Sequence, residues 1–90
     1  MNTQYLKYAV EVEKTGSFGK AAQNLYMSQP RLSKAIRELE AQLGTELFNR
    51  TAKGVQPTPK GEIFLARARS ILTQVEQIEG MFQPTSDKTK

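Results

Sequence analysis

Ninety residues with 38% hydrophobic side chains support one small domain, whose core buries only a modest share of its surface. With no Cys and no His, disulfides, most zinc and iron sites and the commonest catalytic groups at neutral pH are excluded, so the reading is no metal, no cofactor and no enzyme. The net charge of +4 is unevenly spread: the stretch from Lys14 to Arg37 holds five cations and no acid, and that from Leu47 to Gly61 holds three (Arg50, Lys53, Lys60) and no acid.

Such sorting suits a polyanionic partner. The longest apolar runs span only a few residues, which predicts neither a signal peptide nor a membrane span, and a cytoplasmic protein.

In chain order, a first helix is predicted from about Thr3 to Lys14, with Tyr5, Leu6, Tyr8, Ala9, Val10 and Val12 as a broad apolar stripe and Thr15-Gly16 as its end. Ser17 caps a second helix carrying Phe18, Ala21, Ala22 and Leu25 on one side. Its two small residues allow the close helix approach that a tight helix-turn-helix needs. Asn24-Leu25-Tyr26-Met27 forms the turn, and Ser28 caps a third helix with Pro30 in its first turn and Gly44 past its end. Leu32, Ile36, Leu39 and Leu43 recur at helical spacing and form its apolar back. Arg31, Ser33, Lys34 and Arg37 lie opposite, with Gln29 at the tip. Two short helices joined by a tight turn, the second basic on its outer face, make the pattern of a helix-turn-helix with a recognition helix.

After Gly44 the periodicity changes. Glu46–Arg50 and Gly54–Pro57 read as short strands around Thr51-Ala52-Lys53-Gly54, a small hairpin or wing whose second strand Pro57 keeps brief. Thr58 and Pro59 then open a long helix, about Pro59 to Phe82 and roughly 36 Å at 1.5 Å per residue. Phe64, Ala68, Ile71, Val75, Ile78 and Phe82 form a heptad-like seam on it, flanked by Leu65 and Leu72. Ile63 and Phe64 are expected to pack on the first helix, and Ile71, Val75 and Ile78 to meet a second subunit. Pro84–Lys90 has no apolar residue besides Pro and reads as a disordered tail.

Over essentially its whole length the chain resembles the N-terminal DNA-binding domain of LysR-type transcriptional regulators. The match rests on Ser17-Phe18, Ala21-Ala22, Ser28-Gln29-Pro30, Leu32, Ser33, Ile36, Leu39-Glu40, Leu43-Gly44, Leu47-Phe48, Arg50, and Thr58 followed by Gly61. The resemblance implies a mainly α fold: a winged helix-turn-helix over residues 1–58 and a linker helix over 59–83 that pairs two subunits, with 84–90 as tail. It further implies a homodimer that addresses two half-sites of an interrupted dyad. Small-molecule effectors of that family bind a larger domain that this chain does not contain, so the chain reads as an excised fragment or a short form. It departs from the family at Lys34, where Arg is more frequent, at Arg31, commonly a small residue, at Pro57, usually aliphatic, and at Met27, where Val is frequent.

The residues expected to read bases are Gln29, Pro30, Ser33 and Lys34: a Gln amide pairs with adenine edges, a proline ring touches a thymine methyl, and a Lys reaches a base or the adjacent phosphate. Ser17, Lys20, Ser28, Arg31 and Arg37 are expected to meet phosphates, and Arg50, Thr51 and Lys53 to do so from the wing. The more ordinary alternative for Ser28-Gln29-Pro30 is a cap and helix start, and for the cations a solvated face. Ala68, Ile71, Leu72, Val75, Ile78 and Phe82 are the expected dimerisation residues. The competing function is a helical protein-interaction module whose basic surface is incidental.

Overall fold

Residues 1–82 are described by the computed structural model; Gln83 and the expected tail lie outside the described residues. The elements run α1 (Thr3–Thr15), α2 (Phe18–Asn24), α3 (Gln29–Leu43), β1 (Phe48–Thr51), β2 (Gly54–Pro57) and α4 (Pro59–Met81). Each helix begins where a short polar side chain can accept from an otherwise orphaned N–H. Asn2 Oδ1 accepts from Tyr5 at 3.1 Å, Ser17 Oγ from Lys20 at 3.1 Å, Ser28 Oγ from Arg31 at 3.2 Å and Thr58 Oγ1 from Gly61 at 2.9 Å. α1 ends at Gly16, whose φ of 67° lets the chain turn sharply into the cap of α2.

The three-helix core is built around Val12, Leu32, Leu39, Leu47 and Leu65, all fully enclosed. Burial of each such side chain contributes about 1.5–3 kcal/mol. Ala21 and Ala22, 0% and 3% exposed, bring α2 against its neighbours without a bulky side chain between them. The turn between α2 and α3 places Tyr26 in the left-handed region (φ 57°) with its ring 96% exposed.

β1 and β2 form one antiparallel hairpin in the register Phe48↔Pro57, Asn49↔Gln56, Arg50↔Val55 and Thr51↔Gly54. Pro57 therefore occupies the last pair at the open end of the ladder. The hairpin is tied to the helices at three points. Val55 N–H donates to the Gly16 carbonyl at 3.0 Å, Thr58 N–H to the Leu47 carbonyl at 2.9 Å, and Leu47 N–H to Glu40 Oε2 at 2.7 Å. Thr58 Oγ1 also donates to the Glu46 carbonyl at 2.7 Å.

Two expected core positions are corrected. Leu43 is 36% exposed because it falls on the last turn of α3, beyond the elements that cover Leu39. Ile63 is 68% exposed and does not pack on α1. Gly61, Leu65 and Ala68 face the body, and a residue two positions from two of them is carried about 200° round the helix, to the opposite side. Leu43 and Ile63 instead share an apolar surface hollow with Thr45, Leu47, Lys60 and Phe64.

The seam on α4 also divides. Ala68 is buried in the protomer's own core, and Leu72 and Val75 are half-buried in a groove facing Val10 of α1. Arg69 pairs with Glu13 along the same contact. Ile71, Ile78, Met81 and Phe82 stand free, from 44% to 76% exposed. No described helix is long and apolar enough to cross a membrane.

Candidate nucleic-acid interface

The N-terminal ends of α2 and α3 and the outer strand face of the hairpin come together because Ser17 and Ser28 start both helices toward the same side. Ser17, Lys20 and Gln29 line one open depression with Gly19, Ala22, Gln23 and Met27. Ser17 and Gln29 line a second with Arg50, Thr51, Phe18 and Gly19. Neither depression has an acid in its lining. Between them lies Gly19, where a side chain would sit 3.6 Å from Gln29 Oε1 and 3.7 Å from Ser17 Oγ.

Arg50 is held in a defined place. Its guanidinium carbon lies 4.3 Å from the centroid of the Phe18 ring, within the range of a cation–π contact. Phe18 in turn meets Phe48 edge-on with centroids 6.3 Å apart. Phe48 and Arg50 are two residues apart on β1, so the strand's period of two points both at Phe18. At the wing tip Thr51 Oγ1 donates to the Gly54 carbonyl at 2.9 Å and accepts from Lys53 N–H at 3.1 Å. Lys53 is exposed there, outside both depressions.

The remaining candidates lie further along α3. Pro30 and Ser28 are exposed at its entrance, while Ser33 is half-buried at the edge of the core. Arg31 and Lys34 open onto a third hollow, between α3 and α1, shared with Tyr5, Tyr8, Met27, Ala35 and Glu38. Arg37 is exposed and lines none of the three hollows. Ser17, Lys20, Gln29, Arg50 and Thr51 thus form one continuous band from the wing through the α2 and α3 N-termini, and Arg31 and Lys34 a second group on the α1 side of α3.

Several contributors carried no local signal in the sequence. Phe18 reads as core, and only the fold shows that its ring also seats Arg50. The acids of α1 and α3 are engaged by distant groups: Tyr5 Oη donates to Glu38 Oε1 at 2.6 Å and Asn24 Nδ2 to Glu11 Oε2 at 2.8 Å. Glu40 accepts from the Leu47 and Phe48 N–H groups and anchors the hairpin. The Tyr5 phenol is pushed above its ordinary value of 10.0, first by its hydrogen bond to Glu38 and then by partial desolvation and the charge of the same carboxylate.

Comparison with known proteins agrees with this geometry. The family profile described as "Bacterial regulatory helix-turn-helix protein, lysR family" matches residues 3–62. The HTH-type transcriptional regulator TfdT of Cupriavidus pinatubonensis is 46% identical over 77 residues, covering 86% of this chain and 34% of that protein. The nitrogen assimilation regulatory protein nac of Escherichia coli is 43% identical over 79 residues, covering 88% of this chain and 26% of that protein. The chain therefore spans about a third of one relative's length and about a quarter of the other's. Among solved structures, the BenM DBD/benA site 1 DNA complex superposes with a TM-score of 0.86 at 40% identity, covering 90% of this chain and 94% of that one. The CbnR DBD–DNA complex does so with a TM-score of 0.85 at 32% identity, covering 97% and 100%.

Proposed function

Because the chain belongs to the LysR family of bacterial helix-turn-helix regulators, we propose that it binds double-stranded DNA sequence-specifically, as a dimer on an interrupted dyad. The observation that carries this reading is the acid-free band formed by Ser17, Lys20, Gln29, Arg50 and Thr51 around the start of α3. In the proposed complex the N-terminal half of α3 enters the major groove. Gln29, Pro30, Ser33 and Lys34 address base edges, and Ser17, Lys20, Ser28, Arg31 and Arg37 hold the flanking phosphates. Arg50, Thr51 and Lys53 follow the backbone from the wing, with Arg50 braced by Phe18. The bound DNA of the two superposed complexes supports the same reading. A cytoplasmic location goes with it.

Dimerisation is assigned to the free part of α4, where Ile71, Ile78, Met81 and Phe82 expose a stripe that a single domain leaves uncovered. Net charge along α4 favours an antiparallel crossing of two copies, since the first half carries Lys60, Arg67 and Arg69 against Glu62 and the second half carries Glu76 and Glu79. Selection of bound sequences from a random duplex pool tests the whole reading. It is expected to return a motif with two inverted half-sites at fixed spacing. A pool that stays random would overturn sequence-specific binding, and a single half-site would overturn the dimer.

A further inference from the structure

Lys34 and Glu38 are four residues apart on α3, the spacing at which a helix brings opposite charges together. Both line the hollow between α3 and α1, yet they are not paired. The Glu38 carboxylate is instead taken by the Tyr5 hydroxyl of α1 at 2.6 Å, a short charge-assisted hydrogen bond across 33 residues of sequence. Glu40, three residues from Arg37, is taken in the same way by the N–H groups of Leu47 and Phe48. Among the described residues, none of the three α3 cations has an ion-paired or hydrogen-bonded side-chain partner, and the one ion pair is Arg69 with Glu13.

We propose that Tyr5 is a positioning residue for the recognition helix: by holding Glu38 toward α1 it keeps Lys34 free for the DNA. Lose the hydroxyl, and Glu38 swings back to the intrahelical pair with Lys34, competing with the nucleic acid for the same charge. The carboxylate would also stand closer to incoming phosphate. The same hydrogen bond keeps the phenol protonated and raises Tyr5 above its ordinary value.

The inference rests on the DNA-binding reading for its consequence but not for its contact, so two measurements separate them. Without DNA, the coupling between Lys34 and Glu38 is measured by a double-mutant cycle on thermal stability (Lys34→Ala, Glu38→Gln and both together) in the wild type and in Tyr5→Phe. The two changes are expected to be additive in the wild type and to show a favourable coupling in the Tyr5→Phe background. An equal coupling in both backgrounds overturns the proposal. With an operator found by selection, Tyr5→Phe is expected to weaken binding about twofold per domain at low salt, the scale of one exposed intrahelical pair. Glu38→Gln should then strengthen binding more in the Tyr5→Phe protein than in the wild type. Unchanged affinity in Tyr5→Phe, or an equal effect of Glu38→Gln in both, overturns it. A wild type that binds no DNA would refute the function while the double-mutant cycle still decides the contact.

Discussion

Replacing Gly61 with alanine puts a methyl group where the structure has no room. A Cβ at this position would lie 2.0 Å from the Leu47 carbonyl oxygen and 2.9 Å from its carbonyl carbon, both backbone atoms that cannot rotate away. Relief requires α4 and the entry to β1 to part by more than an ångström. That motion opens the bond from Thr58 N–H to the Leu47 carbonyl, at 2.9 Å, and strains that from Thr58 Oγ1 to the Glu46 carbonyl. Overpacking of this kind costs about 1–3 kcal/mol, and each weakened hydrogen bond about 0.5–1.5 kcal/mol more. The better helix propensity of Ala returns about 1 kcal/mol. The net expectation is a loss of about 1–5 kcal/mol, which in a domain this small lowers the melting temperature by about 4–8 °C per kcal/mol. Circular dichroism melting of Gly61→Ala beside Gly80→Ala provides the assay, because a methyl at Gly80 meets nothing within 4 Å. Gly80→Ala should hold or gain stability. A Gly61→Ala protein that melts with the wild type would refute the close approach of α4 to Leu47.

Lys34→Ala is expected to weaken operator binding by about 1–3 kcal/mol while sparing bulk DNA; an equal loss on both, with the salt slope flatter by about one, would make Lys34 a phosphate contact instead. Ile78→Asp places a charge in the free stripe of α4 and should leave light scattering reporting a monomer with unchanged helical content, since Ile78 is 57% exposed in the protomer; an unchanged dimer mass would move the interface elsewhere. The Tyr5 phenol should titrate above 10.0 by its ultraviolet absorbance and fall back toward that value in Glu38→Gln. Because the folded value lies above the unfolded one, the stabilisation from this contact is whole below the unfolded value and disappears as pH climbs through the raised one. A Tyr5 titration indifferent to Glu38→Gln would contradict the contact.

Local chemistry made much of the fold legible. Ser17, Ser28 and Thr58 announce helix starts through interactions three residues long, and the observed caps are those hydrogen bonds. The alternation of Ala21-Ala22 with Leu32, Ile36 and Leu39 likewise specifies which faces meet. The periodicity of α4 was less informative, because apolar residues occur round more than half of that helix. Spacing alone could not tell that Leu65 and Ala68 face the core while Ile63 and Ile71 face outward. Leu43 was misread for a related reason: it shares a face with Leu39 but lies past the elements that cover that face. The placement of the acids was invisible, since Tyr5–Glu38 and Glu13–Arg69 join residues 33 and 56 positions apart. Of the two, Tyr5–Glu38 bears on the candidate interface, because it takes up the acid four residues from Lys34.

In the proposed complex the start of α3, the α2 N-terminus and the wing form one surface that reads DNA sequence. The most direct test is the ratio of affinities for a selected operator duplex and a scrambled duplex of equal length and composition, measured by fluorescence anisotropy at physiological salt. A preference of at least about a thousandfold is expected, as sequence-specific binders show. Equal affinity for the two duplexes would contradict it.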